Sequence, residues 1–309
     1  MMRTAEIRGL WLGLLGVVMF SLTLPMTRLA TGTSELPQLG GGFIAFGRAA
    51  LAGLLSLAFL AATRARRPAP GDWGLIALTT AGAVFGFPLC MTIAMRHVES
   101  VHASVMLGVL PLATALAGAL MQRQRPSAGF WACAALGSGL VVAFALLRPG
   151  GGHAGPQWAD LLLLVAMLWA ALSYVSGARL AGRMRADHTI CWALVLALPL
   201  SLPATLWTWP DTPVAPSAWA GFLYVAVFSM WIGFFAWYRG LALGGPVRVS
   251  QVQLVHPFLS MVFSVPLLGE HLEPLTLAFG LAVIATVVAG RRMPVRPAPA
   301  TDSAQGPST

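Results

Sequence analysis

Ten apolar runs, each close to twenty residues long and separated by short polar segments, constrain this chain more than anything else in it. They fall at 9–27, 40–62, 73–95, 101–121, 129–147, 159–178, 189–208, 218–238, 248–268 and 274–290. A bilayer core asks for about 20 apolar residues per helix. A soluble fold made of such runs would lack polar surface: charged residues are 9% of the chain, against about 25% in ordinary soluble domains. The lipid bilayer is therefore the expected partner. The first run follows Arg3 and Arg8, as a signal peptide would. It is long for one, and no small-residue cleavage site follows, so it is read as a span.

The charges orient these spans. All 19 basic residues are arginine. With the N-terminus inside, 15 arginines fall on inside segments and three (Arg28, Arg96 and Arg148) outside, with Arg48 inside a span. Basic loops stay cytoplasmic, so the bias predicts ten spans with both termini cytoplasmic. A nucleic-acid partner would need a basic stripe on a soluble surface, which this distribution does not provide.

An internal repeat divides the chain. Ser104 and Pro111 recur as Ser250 and Pro257, both 146 residues later, and Arg-Leu-Ala at 28–30 returns at 179–181. The turn-rich segment 149–157 separates two sets of five runs. Five spans per set place the second set upside down relative to the first. The expected fold is an all-α integral membrane protein of ten transmembrane helices, built as two inverted five-helix repeats. The first repeat would occupy 1–150 and the second 157–293, followed by a disordered cytoplasmic tail at 294–309. Substrate sites in such folds lie near the midplane, between the halves.

Arg48 lies about nine residues inside its run, where a charge is costly and points to function. Its guanidinium could hold a carboxylate through two parallel hydrogen bonds, or it could cap backbone carbonyls or line a hydrated vestibule. Ser250, Gln253 and His256 put several polar groups on the ninth run, with Ser250, Gln253 and Pro257 on one helix face; these face either a cavity or a neighbouring helix. Trp169 and Tyr174, on the sixth run, are candidates for cavity lining. Pro111 and Pro257 break hydrogen bonding at matching places and are candidate hinges. Glu270 could cap the tenth helix. Gly82-x-x-x-Gly86 and Gly240-x-x-x-Gly244 have the spacing that permits close helix contact. Cys90, Cys133 and Cys191 form neither a disulfide nor a zinc pattern. No nucleotide, zinc-hydrolase or serine-hydrolase motif is present, so neither a cofactor, a metal nor an enzymatic reaction is expected.

The stretch Leu-Ala-Leu-Gly-Gly-Pro-Val-Arg-Val-Ser-Gln-Val-Gln-Leu-Val-His-Pro (241–257), continuing through Pro266-Leu-Leu-Gly-Glu270 to Phe279-Gly280, resembles the EamA domain of the drug/metabolite transporter superfamily. The first half is similar at Phe20-Ser21 through Arg28, at Arg48, and from His102 to Pro111. The resemblance covers about residues 8–292. One departure stands out: where the second half has Gly269-Glu270, the first has Arg123-Gln124. The resemblance implies a bacterial inner-membrane secondary carrier that works by alternating access. It also implies export of small organic solutes such as amino acids. Multidrug or other small-solute transport by the same superfamily is the alternative, and a non-transporting membrane protein is a more distant one.

Overall fold

The computed structural model describes residues 2–121, 125–147, 158–244, 250–291 and 295–296. Helices overlie the apolar runs. In chain order they are α1 (Met2–Ser21), α2 (Thr23–Thr31), α3 (Gly41–Ala62), α4 (Trp73–Thr79), α5 (Phe87–Ala94), α6 (Ser100–Leu107) and α7 (Leu110–Met121). They continue with α8 (Ala128–Leu147), α9 (Trp158–Ala181), α10 (Ala186–Trp207), α11 (Pro216–Leu223), α12 (Gly233–Gly244), α13 (His256–Leu268) and α14 (Pro274–Arg291). Among the described residues, six helical segments are long and apolar enough to cross a bilayer: Ile7–Thr31, Gly41–Ala62, Pro70–Ala94, Trp158–Ala181, Ala186–Trp207 and Pro216–Leu241. His256–Leu268 and Pro274–Thr286 are shorter apolar helices. The chain is a multi-pass membrane protein. Trp11 and Trp207 project outward at 67% and 91% exposure, as rings in a membrane-interface belt do.

The helices that pack most extensively come from opposite halves of the chain. α1 and α2 run against α12 and α11, α5 and α7 against α9, α3 against α10, α6 against α13, and α8 against α14. Lipid offers no hydrophobic drive between helices, so close approach depends on small residues. A side chain at Gly82 or Gly86 would collide with Ser173 or Trp169 on α9, and one at Gly240 with the backbone of Gly9 and Gly13 on α1. Gly82, Gly86 and Gly240, from the two spacings noted above, thus lie at close crossings.

The helix breaks follow local chemistry. Pro25 lacks an N–H, which leaves the carbonyl of Ser21 without its helical donor, and the Ser260 hydroxyl donates to that carbonyl at 2.8 Å. Pro111 and Pro257 do not kink continuous helices as expected. Each is the second residue of a helix (α7 and α13) that restarts after a tighter stretch, at Gly108–Val109 and at the 3-10 turn Ser250–Val255. A proline fits the first turn, where its missing N–H costs nothing.

Two stretches of wide π-helical turn, Thr80–Gly86 and Tyr224–Ile232, interrupt the third and eighth runs. Of the tail, Val295–Arg296 pairs antiparallel with Arg125–Pro126. The linker 149–157, Arg123, Gln124 and the rest of the tail lie outside the described residues.

Candidate functional site

A narrow, mostly apolar cavity lies where the two halves of the chain meet. α1 and α2 contribute Phe20, Thr23 and Leu24; α3 contributes Arg48; the third run contributes Ala83 and Phe87. Leu107 and Leu110 border the break between α6 and α7. From the second half come Ala170, Ser173 and Tyr174 on α9, Ser229 and Phe234 on the eighth run, and His256 at the start of α13.

Arg48 is the central polar group. It is 2% exposed, and its Nη2 donates to the Ser229 hydroxyl at 3.2 Å. Ser229 in turn shares a 2.8 Å hydrogen bond with Thr23. This chain of contacts ties α2, α3 and the eighth run together across the cavity wall. Nε and Nη1 of Arg48 have no protein hydrogen-bond partner among the described residues. A guanidinium buried with no carboxylate bound to it among the described residues is costly, on the order of several kcal/mol, a cost that an anion beside it would relieve.

The wide turns position part of this wall. An extra residue in a turn rotates the following side chains off the regular 100° spacing. Ala83 and Ser229 lie within the two π stretches and face the cavity. Aromatic rings frame the remainder: Phe20 and Phe234 have centroids 5.0 Å apart, and Tyr174 and Trp237 5.9 Å apart. Most of the lining is thus apolar, around one cation and a few hydroxyls.

Of the residues singled out from sequence, Arg48, Tyr174 and His256 come together here. His256 is 7% exposed, and its Nε2 has no hydrogen-bond partner among the described residues. Trp169 is not part of the wall; its indole lies over Gly86 at the crossing of α9 with the third run. Gln253 is buried at 3% in the 3-10 turn before His256, outside the cavity lining, with Oε1 unpartnered among the described residues. The side chains of Ser250 and Pro111 lie outside the described residues. Pro257 is buried next to His256.

Two polar contacts were not legible in the sequence. The Glu270 carboxylate accepts hydrogen bonds from the backbone N–H groups of Ser100 and Val101, at 2.9 and 2.8 Å. It therefore caps α6, in the other half of the chain, and not the tenth-run helix α14. Burial pushes its pKa above the ordinary carboxylate value; the two N–H groups and Arg28 pull the other way, and Glu99 adds to the rise. In the same first turn of α6, His102 meets Asp160 on α9 at 2.7 Å, both almost fully buried. A hydrogen bond between Ser264 and Ser100 at 2.9 Å lies beside them. These contacts pin one end of α6 to α9 and α13, while the other end of α6 reaches the cavity.

The profile of the EamA-like transporter family matches this chain twice, over residues 7–146 and 157–289. The chain belongs to the EamA-like transporter family. That family is part of the drug/metabolite transporter superfamily. A Bacillus subtilis (strain 168) protein described as the uncharacterized transporter YdeK is 41% identical over 282 residues, covering 91% of this chain and 96% of that protein. A Streptantibioticus cattleyicolor protein described as a probable terminal-alkyne amino-acid exporter is 27% identical over 272 residues, covering 84% of this chain and 89% of that protein. A solved crystal structure superimposes with a TM-score of 0.63 over 92% of this chain and 96% of its own, at 19% identity. That likeness concerns the fold alone.

Proposed function

We propose that this EamA-family protein is a secondary carrier that exports a small carboxylate-bearing metabolite, an amino acid or a close relative, by alternating access. The observation that carries the reading is Arg48, buried at the seam between the halves with two guanidinium nitrogens unpartnered among the described residues. A planar fork of donors suits a carboxylate. The Tyr174, Ser173 and Thr23 hydroxyls and His256 offer polar contacts to the rest of the solute. The rings of Phe20, Phe87 and Phe234 and the side chains of Leu24, Leu107 and Leu110 suit an apolar side chain. The name of the Streptantibioticus cattleyicolor relative, which mentions amino-acid export, is in keeping with this chemistry.

The proposal includes ten spans in two inverted halves, 1–150 and 157–293, with both ends on the cytoplasmic side of the inner membrane. The pairing of early with late helices, the two π stretches 144 residues apart and the two family matches support it. The paired breaks before Pro111 and Pro257 are the proposed hinges. Reconstituted proteoliposomes loaded with a panel of amino acids, dipeptides and lipophilic cations test the reading. It predicts efflux of carboxylate solutes; movement of the cations alone would refute it.

A further inference from the structure

Residues 63–72, between α3 and α4, meet residues 182–185, between α9 and α10, at the arginine-rich end of the molecule. They surround a second cleft, of about 970 Å³ counting its open side. Arg64, Arg66, Arg67, Arg183 and Arg185 all line it. Arg183 is held by Asp72 at 2.8 Å and Arg185 by Asp187 at 2.7 Å. Five arginines against two aspartates leave three positive charges, on Arg64, Arg66 and Arg67.

A general preference for arginine at one end of a membrane protein does not explain their convergence on a cleft. At the corresponding junction at the opposite end, residues 32–40 meet residues 208–215. There Gln38 accepts from the backbone N–H of Ala215 at 3.0 Å. Beside it Phe43 packs on Trp209, Trp219 and Phe222 with centroids 5.2–5.7 Å apart. At that end rings and a hydrogen bond join the two segments, whereas at the arginine end five arginines line the space between them.

The backbone supplies a second observation. α3 ends in a Schellman turn, with Ala65 N–H bonded to Leu60 O at 2.9 Å and Arg64 N–H to Ala61 O at 3.1 Å. The residue after the cap must be left-handed, a place glycine fills without strain. Arg64 occupies it at φ 48°. A strained arginine at the cleft rim is accounted for if its side chain is needed there.

The cleft also lies at bilayer-surface depth. Thr63 and Ala186 mark helix ends. Trp192, in the cleft wall, packs edge-on against Trp73 at 6.2 Å, and Trp73 is exposed at 39%. Indoles favour the headgroup layer. An occupant can thus combine a phosphate in the cleft with acyl chains along the helices.

We infer that this cleft is a binding site for the phosphate of an anionic phospholipid, held by Arg64, Arg66 and Arg67. The inference is independent of what the central cavity carries, because it concerns lipid binding and not transport. Native mass spectrometry of the full chain, titrated with phosphatidylglycerol and phosphatidylcholine of matched acyl chains, tests it. The wild type should retain phosphatidylglycerol preferentially. Arg64→Gln/Arg66→Gln/Arg67→Gln should weaken that binding about a hundredfold, at roughly fivefold per charge, with phosphatidylcholine binding unchanged. A control variant, Arg8→Gln/Arg239→Gln, removes two exposed arginines outside the cleft and should keep the preference. An unchanged preference in the triple variant, or an equal loss in the control, overturns the site. If inorganic phosphate binds as tightly as the lipid and displaces it, the lipid assignment is overturned.

Discussion

Replacing Gly240 by alanine tests the packing that sets the cavity's shape. A Cβ there would lie 2.7 Å from the Gly13 nitrogen, 2.9 Å from the Gly9 oxygen and 3.0 Å from the Gly13 Cα. All three are backbone atoms, so no rotamer change relieves the overlap. α1 and α12 would have to separate by about half an ångström, in line with an overpacking cost of about 1–3 kcal/mol. Alanine's higher helix propensity offsets about 1 kcal/mol of this. Gly139 on α8 is an internal control: nothing lies within 4 Å of its Cβ position, so only the propensity gain applies. Unfolding free energies in bicelles should therefore rank Gly139→Ala at or above wild type and Gly240→Ala below it, with about 1–3 kcal/mol between the variants. A Gly240→Ala protein as stable as Gly139→Ala would refute the reasoning.

Glu270→Ala should destabilise the protein by about 1–2 kcal/mol, because two N–H groups of α6 lose their acceptor; Glu270→Gln, which keeps one acceptor oxygen, should cost less. Both are measurable by the same unfolding assay. Burial raises the pKa of Glu270 above the usual 4.5, so its titration favours the folded state fully below that value and loses this contribution as pH rises through the folded pKa. Unfolding from pH 4 upward should show wild type losing stability relative to Glu270→Gln across that window, and parallel curves would contradict it. Asp160→Ala breaks a buried contact with His102 and should cost about 3 kcal/mol. Asp72→Ala, whose partner Arg183 is half-exposed to solvent, should cost less than Asp160→Ala, about 1 kcal/mol, and equal effects would remove the distinction.

Much of the architecture was legible because lipid imposes simple rules. Runs near twenty residues became helices, and the charge that should not be in a membrane, Arg48, lies in the central cavity. His256 and Tyr174, polar-tipped residues inside apolar runs, line that cavity too. The rest depended on contacts distant in sequence. Glu270 is next to α14 along the chain but caps α6, since the nearest free N–H groups in space belong to the other half. Asp160 resembles an ordinary first-turn acid, and its burial depends on where His102 arrives. Trp169 resembled a lining residue, yet Gly86 opposite it accommodates the ring. The π stretches that bring Ala83 and Ser229 to the cavity have no periodicity of their own; they depend on packing against α9 and α3. Pro111 and Pro257 mark the breaks, though the break precedes the proline in each case.

The central claim is that Arg48 reads a carboxylate. Its most direct test is proteoliposome transport of an amino acid against the matching amide, in wild type and in Arg48→Gln. Losing charge-assisted hydrogen bonds to the guanidinium is worth about 1.5–3 kcal/mol, roughly ten- to a hundredfold in discrimination. The wild type should favour the acid by that factor, and Arg48→Gln should transport acid and amide alike. An Arg48→Gln protein that still prefers the acid by the wild-type factor would contradict the account.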